Sequence, residues 1–598
     1  MYFIPQPKFI KEQEHTPSNT ASGYIATNAG ALLEGELKRF GSSAACVEDC
    51  GLYYAILSSE KSITLPELPA ELDDSAVRKD GFYLNAGENG LQIVSRHPRG
   101  VLYGWQLWKQ LAADETNFFG TVIDYSDTAF RAFHMDMRYG FPKFERMLSI
   151  IDELSAYRYN KFILEYENRF PYQKHTDITD PLHFTPEQVG EIQAYAAQRF
   201  IEIIPLQQTI GHLEYMLKLP QYYHLREMRN FPETDKPYGF NSVGFKHYND
   251  IDEICASNED AYAVVESMLD EMIIAHPDSS YVHLGCDEAW NLLSCKKCIE
   301  KFGVNGANRL YAGHINRMAG KVLAAGKTPI VWDDMLRHFT DSELEQLDKR
   351  IVIMIWLYYE SNYKLAKQLT QRLCNAGFTV IGAAASKCGE GPEPQYLDMP
   401  WYELRMGNVN MWGRVCAEDG IDGFCMTVWS NYSGTIAPPH PFFDTIWYPV
   451  LFAAEKMWNL DAVSDGFDER FASSFFGVEG AALFHGSTAT RFKCIERVCR
   501  ECKRHSYEAE VIRAMELTSI YRLKALAIGR ELYKLNMDVT QAEKNIIRNR
   551  AHEVNAMREE LKPLVRGIVA KYYSESDADV FVRSRFDADE ALMQKYLS

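Results

Sequence analysis

Between residues 126 and 457, short apolar runs alternate with longer segments in which apolar residues return every three or four positions. A short apolar run suits a buried strand, and the three-to-four spacing suits one face of a helix. The strand-like runs are Ala132–Arg138, Asn160–Tyr166, Ile201–Gln207, Ser280–Cys286, Pro329–Asp333, Ile351–Leu357, Phe378–Ala383 and Gly423–Trp429. Helical spacing fills Pro142–Tyr157, Thr185–Arg199 and Glu259–Ala275 between them. The alternation predicts βα units around a parallel sheet. Eight units over roughly 320 residues predict an α/β fold, a (β/α)8 TIM barrel with long loops. A doubly wound sheet is the competitor, but it favours a Gly-rich phosphate turn after its first strand. Here the first run ends in Asp136-Met-Arg-Tyr-Gly140 instead.

The flanks read differently. In residues 1–125, Leu52–Leu57, Gly81–Leu84 and Leu91–Ser95 read as strands, with the turn cluster Asn85–Gly90 between the last two. Arg99–Leu111 has helical spacing, so this part is predicted to be a small α+β domain with no chemistry of its own. Residues 458–598 are almost wholly helical in pattern, with long amphipathic stretches at Ala509–Leu535 and Ala542–Tyr573. They predict a helical C-terminal domain that packs on the barrel or forms a homodimer.

Composition acts mainly by exclusion. The 598 residues are 46% hydrophobic and 24% charged, ordinary for a globular protein. A net charge of −19, with no basic stripe, argues against nucleic acid as a partner. No run of about 18 apolar residues occurs, so no membrane span is expected. The opening Met1–Lys8 lacks a charged then apolar signal pattern, and the 13 cysteines are an odd number. A cytoplasmic chain with reduced thiols is the expectation.

The chemistry is concentrated at the predicted strand ends, which form the active face of such a barrel. Tyr281-Val-His-Leu-Gly-Cys-Asp-Glu-Ala-Trp290 runs from an apolar strand into two adjacent carboxylates, Asp287 and Glu288. Strand 1 offers Arg131 at its start and Asp136 and Arg138 at its end. Strand 2 gives Glu165-Tyr-Glu167-Asn-Arg169, and strand 3 leads into Gly211-His212. Trp332-Asp-Asp334, Trp356-Leu-Tyr358-Tyr359 and Trp429-Ser-Asn431-Tyr432 end three more. Carboxylates and indoles together suit a polar ring, whose hydroxyls and apolar face each need a partner. Neighbours on one strand point apart, so Asp287 and Glu288 do not flank one glycosidic oxygen as an ordinary retaining pair does. Substrate-assisted hydrolysis avoids that requirement: the sugar's 2-acetamido oxygen attacks, one carboxylate holds the acetamide, and the other acts as acid and base.

His283-Leu-Gly-Cys-Asp-Glu-Ala-Trp290 resembles the His/Asn-x-Gly-x-Asp-Glu signature of glycoside hydrolase family 20, the β-N-acetylhexosaminidases. Arg131-Ala-Phe-His-Met-Asp136 looks like the family's first-strand motif, and Gly211-His212 like its Gly-His after strand 3. Leu164–Tyr172 is similar to the second strand of the hexosaminidase D-like branch, and residues 80–111 to the small domain before the barrel. The resemblance spans about residues 50–450 and implies roles. Asp287 orients the acetamide, Glu288 is the general acid/base, and Arg131 binds the 3- and 4-hydroxyls. Trp332, Trp356 and Trp429 build an aromatic cage. The carboxylate supporting His212 is Glu165 or Glu167, and the tyrosine on the acetamide oxygen is Tyr358, Tyr359 or Tyr432. Asn431 follows Trp429 where many members carry a Glu. The implied activity is exo-hydrolysis of terminal β-linked GlcNAc or GalNAc from glycans, with no cofactor.

Two rival functions fit the barrel. One is a metal-dependent enzyme with Asp136, Glu165, Asp287 and Asp333 as ligands; the other is a non-catalytic N-acetylhexosamine-binding protein. Two Cys-x-x-Cys pairs, Cys295/Cys298 and Cys499/Cys502, have the spacing of a zinc link between a barrel loop and the C-terminal domain. Ordinary thiols are the expected reading.

Overall fold

The computed structural model describes residues 3–597 apart from 14–23, 41, 44–45, 48–50, 74, 76, 89, 114–117, 139, 228–252, 389–397, 430–442, 482 and 485–487. Eight parallel strands close into a barrel: Phe130–Asp136, Lys161–Glu165, Glu202–Leu206, Tyr281–His283, Thr328–Trp332, Val352–Trp356, Thr379–Lys387 and Gly423–Val428. Closure runs through the first and last strands, in a register from Phe130↔Gly423 to Met135↔Val428. The runs of the sequence pattern fall on all eight. The fourth strand is shorter than its apolar run, because the chain leaves the sheet after His283.

Side chains alternate across each strand, and the alternation explains the barrel's interior. Phe130, Ala132, Ile163, Ile204, Leu206, Ile330, Val352, Met354, Ile381 and Cys425 point inward and form a closed apolar plug. The next inward positions toward the C-terminal ends change character: His134, Asp136, Glu165, Trp332 and Trp356. The same parity continues past the strands to Gln208, Asp334, Tyr358 and Trp429. An apolar floor therefore carries a polar and aromatic rim. Outward residues such as Phe133, Phe162 and Leu164 pack instead in the layer beneath the surrounding helices. Some of those helices start at a side-chain cap; Thr185 and Gln188, for example, form a reciprocal capping box ahead of Pro186–Ala197.

A seven-stranded sheet precedes the barrel, in the order Phe9–Glu12, Gly120–Asp124, Phe82–Gly87, Gly90–Ser95, Tyr53–Ser58, Tyr24–Thr27, Ser42–Ser43. The helix Pro98–Ala113 places Val101, Trp105, Leu107 and Leu111 in a core with Phe82, Leu84 and Ile93 of that sheet. Trp458, just after the barrel, belongs to the same core. The C-terminal helices Thr488–Glu501, Ser506–Gly529, Gln541–Tyr572 and Glu575–Leu597 share one continuous core with the barrel's helical layer. Buried ion pairs add specificity to this contact: Arg146 meets Asp444 and Glu508, and Arg585 meets Asp398 at 2.6 Å. Among the described residues, no helix is long and apolar enough to cross a membrane.

Candidate active site

Beyond His283 the chain turns sharply. Gly285 (φ +65°), Cys286 (φ +73°) and Glu288 (φ +51°) lie in the left-handed region. For Cys286 and Glu288 this costs roughly 1–2 kcal/mol each. Hydrogen bonds hold the turn against that cost. Thr209 Oγ1 donates to the Leu284 carbonyl (2.9 Å), the Tyr311 hydroxyl to the Cys286 carbonyl, and the Glu288 amide to an Asp334 oxygen (2.9 Å). Glycine is needed at 285 for space as well, since a Cβ there would lie 1.9 Å from Gln208 Oε1.

The turn brings both carboxylates to one imidazole. His212 Nε2 lies 3.4 Å from Asp287 Oδ2 and 3.5 Å from Glu288 Oε2. On a continuing strand these two side chains would diverge; the left-handed residues remove that restriction. Their environments differ, with 9% of the Asp287 side chain exposed against 24% of Glu288. Burial alone would raise the Asp287 pKa, but His212 beside it holds it below the ordinary value of 3.8. Burial likewise works against a charged His212, yet Asp287 and the hydrogen bonds to both carboxylates lift its pKa well above 6.5. Both shifts favour the charged forms, an imidazolium beside a carboxylate.

Around this pair a network of hydrogen bonds and ion pairs joins the rim, although Gln208 Oε1, His283 Nε2 and the Trp332 indole N–H have no hydrogen-bond partner among the described residues. Gln208 Nε2 donates to Asp287 Oδ1 (3.2 Å) and to Glu165 Oε1 (2.9 Å). Glu165 also meets His134 Nε2 at 3.1 Å. Burial opposes its charge, but His134 and Arg138 bring its pKa down to about 2. The Arg138 guanidinium, buried, lies 2.7 Å from Glu167 and 3.4 Å from Glu165, and its amide donates to Asp136. Asp334 accepts from the Trp356 indole (3.1 Å) as well as from the Glu288 amide. Burial and the charges of Asp287 and Asp333 push Asp334 up to about 8.

The aromatic wall is continuous. The Trp332 ring packs 4.5 Å from His283 and 5.6 Å from Trp429. The Trp429 indole donates to the Tyr358 hydroxyl (2.9 Å), and Tyr358 stacks on Trp356 at 5.4 Å. Asp287 is near enough to act electrostatically on Tyr358. Of the three tyrosines that the sequence left open, Tyr358 is half-buried in this wall, Tyr359 is 44% exposed, and Tyr432 lies outside the described residues, as does Asn431.

Arg131 requires a correction. It sits at the start of its strand, at the opposite end of the barrel, where its guanidinium binds Asp80 (3.1 Å), Ser126 and the carbonyls of Thr128 and Arg158. Two turns of alternation separate it from the rim, so it anchors the N-terminal domain and does not reach a sugar. Arg138, seven residues later, is the arginine on the active face. Glu165 and Glu167 are placed around Arg138, whereas His212 lies between the two carboxylates of the signature itself. Gln208 was missed, and Asp334 was read as part of a strand end without a role of its own; the inward parity of both, two positions past a strand's last inward residue, was the available signal. The four carboxylates of the metal-enzyme reading are spoken for: Asp333, for example, is clasped by Arg337 Nε and Nη2 at 2.6 and 2.9 Å. Among the described residues, the donor group compact enough to hold an ion lies elsewhere.

Comparison with known proteins gives this arrangement a family. A family model described as glycosyl hydrolase family 20, catalytic domain, matches residues 129–459. The chain belongs to glycosyl hydrolase family 20. Hexosaminidase D of Bos taurus is 28% identical over 314 residues, half of this chain and 84% of that protein. The Homo sapiens hexosaminidase D is 28% identical over 315 residues, but these make up 60% of its length. A family 20 exo-β-N-acetylglucosaminidase of Vibrio harveyi, solved with N-acetylglucosamine, shares the fold with a TM-score of 0.57 at 19% identity, over 78% of this chain and 75% of that one. Membership makes the chain a glycoside hydrolase, and the family 20 match spans the whole barrel, from its first strand to Trp458 and Asn459.

Proposed function

We propose that this family 20 chain is an exo-acting β-N-acetylhexosaminidase that releases terminal β-linked GlcNAc or GalNAc from glycans, with retention, through an oxazolinium intermediate. The observation that carries the reading is the convergence of Asp287 and Glu288 on His212 beside the Trp332–Trp429–Tyr358–Trp356 wall. The acetamide lies against the tryptophans. Asp287, held ionised by His212, accepts its N–H and offsets the charge growing on the ring as the acetamide oxygen attacks the anomeric carbon. Tyr358 donates its hydroxyl proton to that oxygen. Glu288, the more exposed carboxyl, protonates the leaving oxygen and then takes a proton from the water that opens the oxazolinium. Arg138 and its carboxylates face the sugar's outer hydroxyls. A cytosolic setting belongs to the same proposal, supported by the free thiols among the described cysteines. So does a homodimer through the C-terminal helices, where Leu526 and Ile546 are 46% and 58% exposed.

The test is a substrate panel: 4-nitrophenyl β-GlcNAc, β-GalNAc and β-glucoside, each with native enzyme and Glu288→Gln. Cleavage of the acetamido sugars alone is expected. Glu288→Gln is expected to lose about 10²–10⁴-fold on glycosides with poor leaving groups and less on the activated aryl ones. Cleavage of the glucoside at a similar rate would require a protein nucleophile and reject the roles given to Asp287 and Glu288. Tight, saturable binding of GlcNAc without cleavage would leave a sugar-binding protein.

A further inference from the structure

Three cysteines and a glutamate meet on the flank of the active-site loop. Cys255 Sγ lies 3.5 Å from Cys295 Sγ and 3.7 Å from Cys298 Sγ, and Cys298 Sγ lies 3.3 Å from Glu227 Oε2. The four donor atoms all fall within 4.8 Å of one another. The sulfur separations are far from a disulfide's length of about 2.0 Å. They match the edges of a tetrahedron instead: with Zn–S near 2.3 Å and Zn–O near 2.0 Å, S···S edges are about 3.8 Å and S···O edges about 3.5 Å.

The surroundings fit an ion better than four neutral groups. Glu227 is 1% exposed, and among the described residues no lysine or arginine pairs with it. A buried carboxylate facing three thiols needs a compensating cation. The Cys298 amide points at Cys295 Sγ (3.3 Å), and the Cys295 amide at Glu227 Oε1 (2.9 Å). Backbone N–H groups aimed at ligand atoms orient them and stabilise their anionic forms. The Ser257 hydroxyl, 3.1 Å from Cys298 Sγ, adds a further partner.

We infer that Glu227, Cys255, Cys295 and Cys298 form a structural metal site, and the thiolate-rich tetrahedral set selects zinc. The site staples two loops. Glu227 and Cys255 come from the connection between the third and fourth strands, and Cys295 and Cys298 follow Glu288 in the chain. Between them, the Asn291 amide is bonded to Glu253 (2.7 Å) and the Trp290 amide to the Glu288 carbonyl (2.8 Å). The metal thus fixes the segment behind the acid/base residue. The second Cys-x-x-Cys pair takes no part: Cys499 Sγ lies against the Ala509 carbonyl, and Cys502 Sγ against that of Cys499.

The experiment uses the full chain, purified under reducing conditions and dialysed against metal-free buffer, with zinc measured by elemental analysis. One zinc per chain is expected, lost in the Cys295→Ser/Cys298→Ser variant and kept in Cys499→Ser/Cys502→Ser. Should the first variant fail to fold, native protein stripped with a strong chelator and refilled with Co2+ provides the second reading. The thiolate-to-cobalt charge-transfer band and the visible bands of tetrahedral Co2+ are expected, together with slower hydrogen exchange in residues 289–298 than in the stripped form. Substoichiometric zinc with no such cobalt spectrum overturns the site, as does a disulfide among these three cysteines found by mass spectrometry of the reduced preparation. None of these readings depends on glycosidase activity, so the site and the proposed reaction stand or fall separately.

Discussion

His212 shows how much one side chain can decide. It lies against both signature carboxylates, and its presence lowers the Asp287 pKa that burial would otherwise raise. The sign of the resulting pH dependence follows from the two shifts. His212 is raised above 6.5, so its contribution to stability is complete below that value and lost as pH climbs through the folded pKa. Asp287 is lowered from 3.8, so its contribution is present above that value and lost on acidification. The pair is therefore at full strength between about pH 4 and 6.5 and fades at alkaline pH. Thermal unfolding of His212→Asn against the native chain is expected to show its largest difference in that window, shrinking toward high pH. A difference that stays constant to high pH would mean that the imidazole is neutral. The sequence marked His212 as a site residue but assigned its partner to strand 2; only the folded turn places it between Asp287 and Glu288.

At the scale of an element, the short fourth strand and the turn after it are tightly constrained. The apolar run made the strand legible, but its early end was not, because left-handed backbone at Cys286 and Glu288 has no propensity signal in those residue types. Gly285 is constrained by the Gln208 side-chain amide oxygen, 1.9 Å from where a Cβ would stand, together with its positive φ. Gly285→Ala is expected to displace Gln208 from Asp287 and Glu165, at a cost of roughly 1–3 kcal/mol in stability. The expected kinetic mark is a fall in kcat of tenfold or more, with intact secondary structure by circular dichroism. Unchanged kcat would show that the Gln208 bridge does not position Asp287.

Across the whole molecule, the two ends of the barrel divide the labour. The C-terminal ends hold the candidate active site, and the opposite end is a buried electrostatic joint to the N-terminal domain. There Asp80 binds Arg131 and Arg99, and Asp124 binds Arg158 and the Trp458 indole. Breaking such a joint leaves an uncompensated buried charge, worth roughly 3–5 kcal/mol. Arg131→Met is expected to lower unfolding stability by that order while KM for the aryl glycoside stays the same. Arg138→Met is expected to raise KM steeply with little change in the unfolding of the N-terminal domain. The reverse pattern would return Arg131 to the sugar.

The sequence by itself determined the architecture, because strand and helix periodicity are local and repeat eight times around the barrel. It also brought forward the groups of the candidate site: Asp287-Glu288, the three tryptophans and Tyr358 lie where strands end, and strand ends converge in any such barrel. What it left undecided depends on which way a side chain points and what a distant segment brings to it. Arg131 and Arg138 sit seven residues apart, at the start of one strand and just past its end, and face opposite ends of the barrel. Cys295 and Cys298 find their partners in Cys255 and Glu227, about 40 and 70 residues away, and not in the matching pair at 499 and 502. Such pairings are set by loop packing across the barrel rim, which spacing along the chain does not encode.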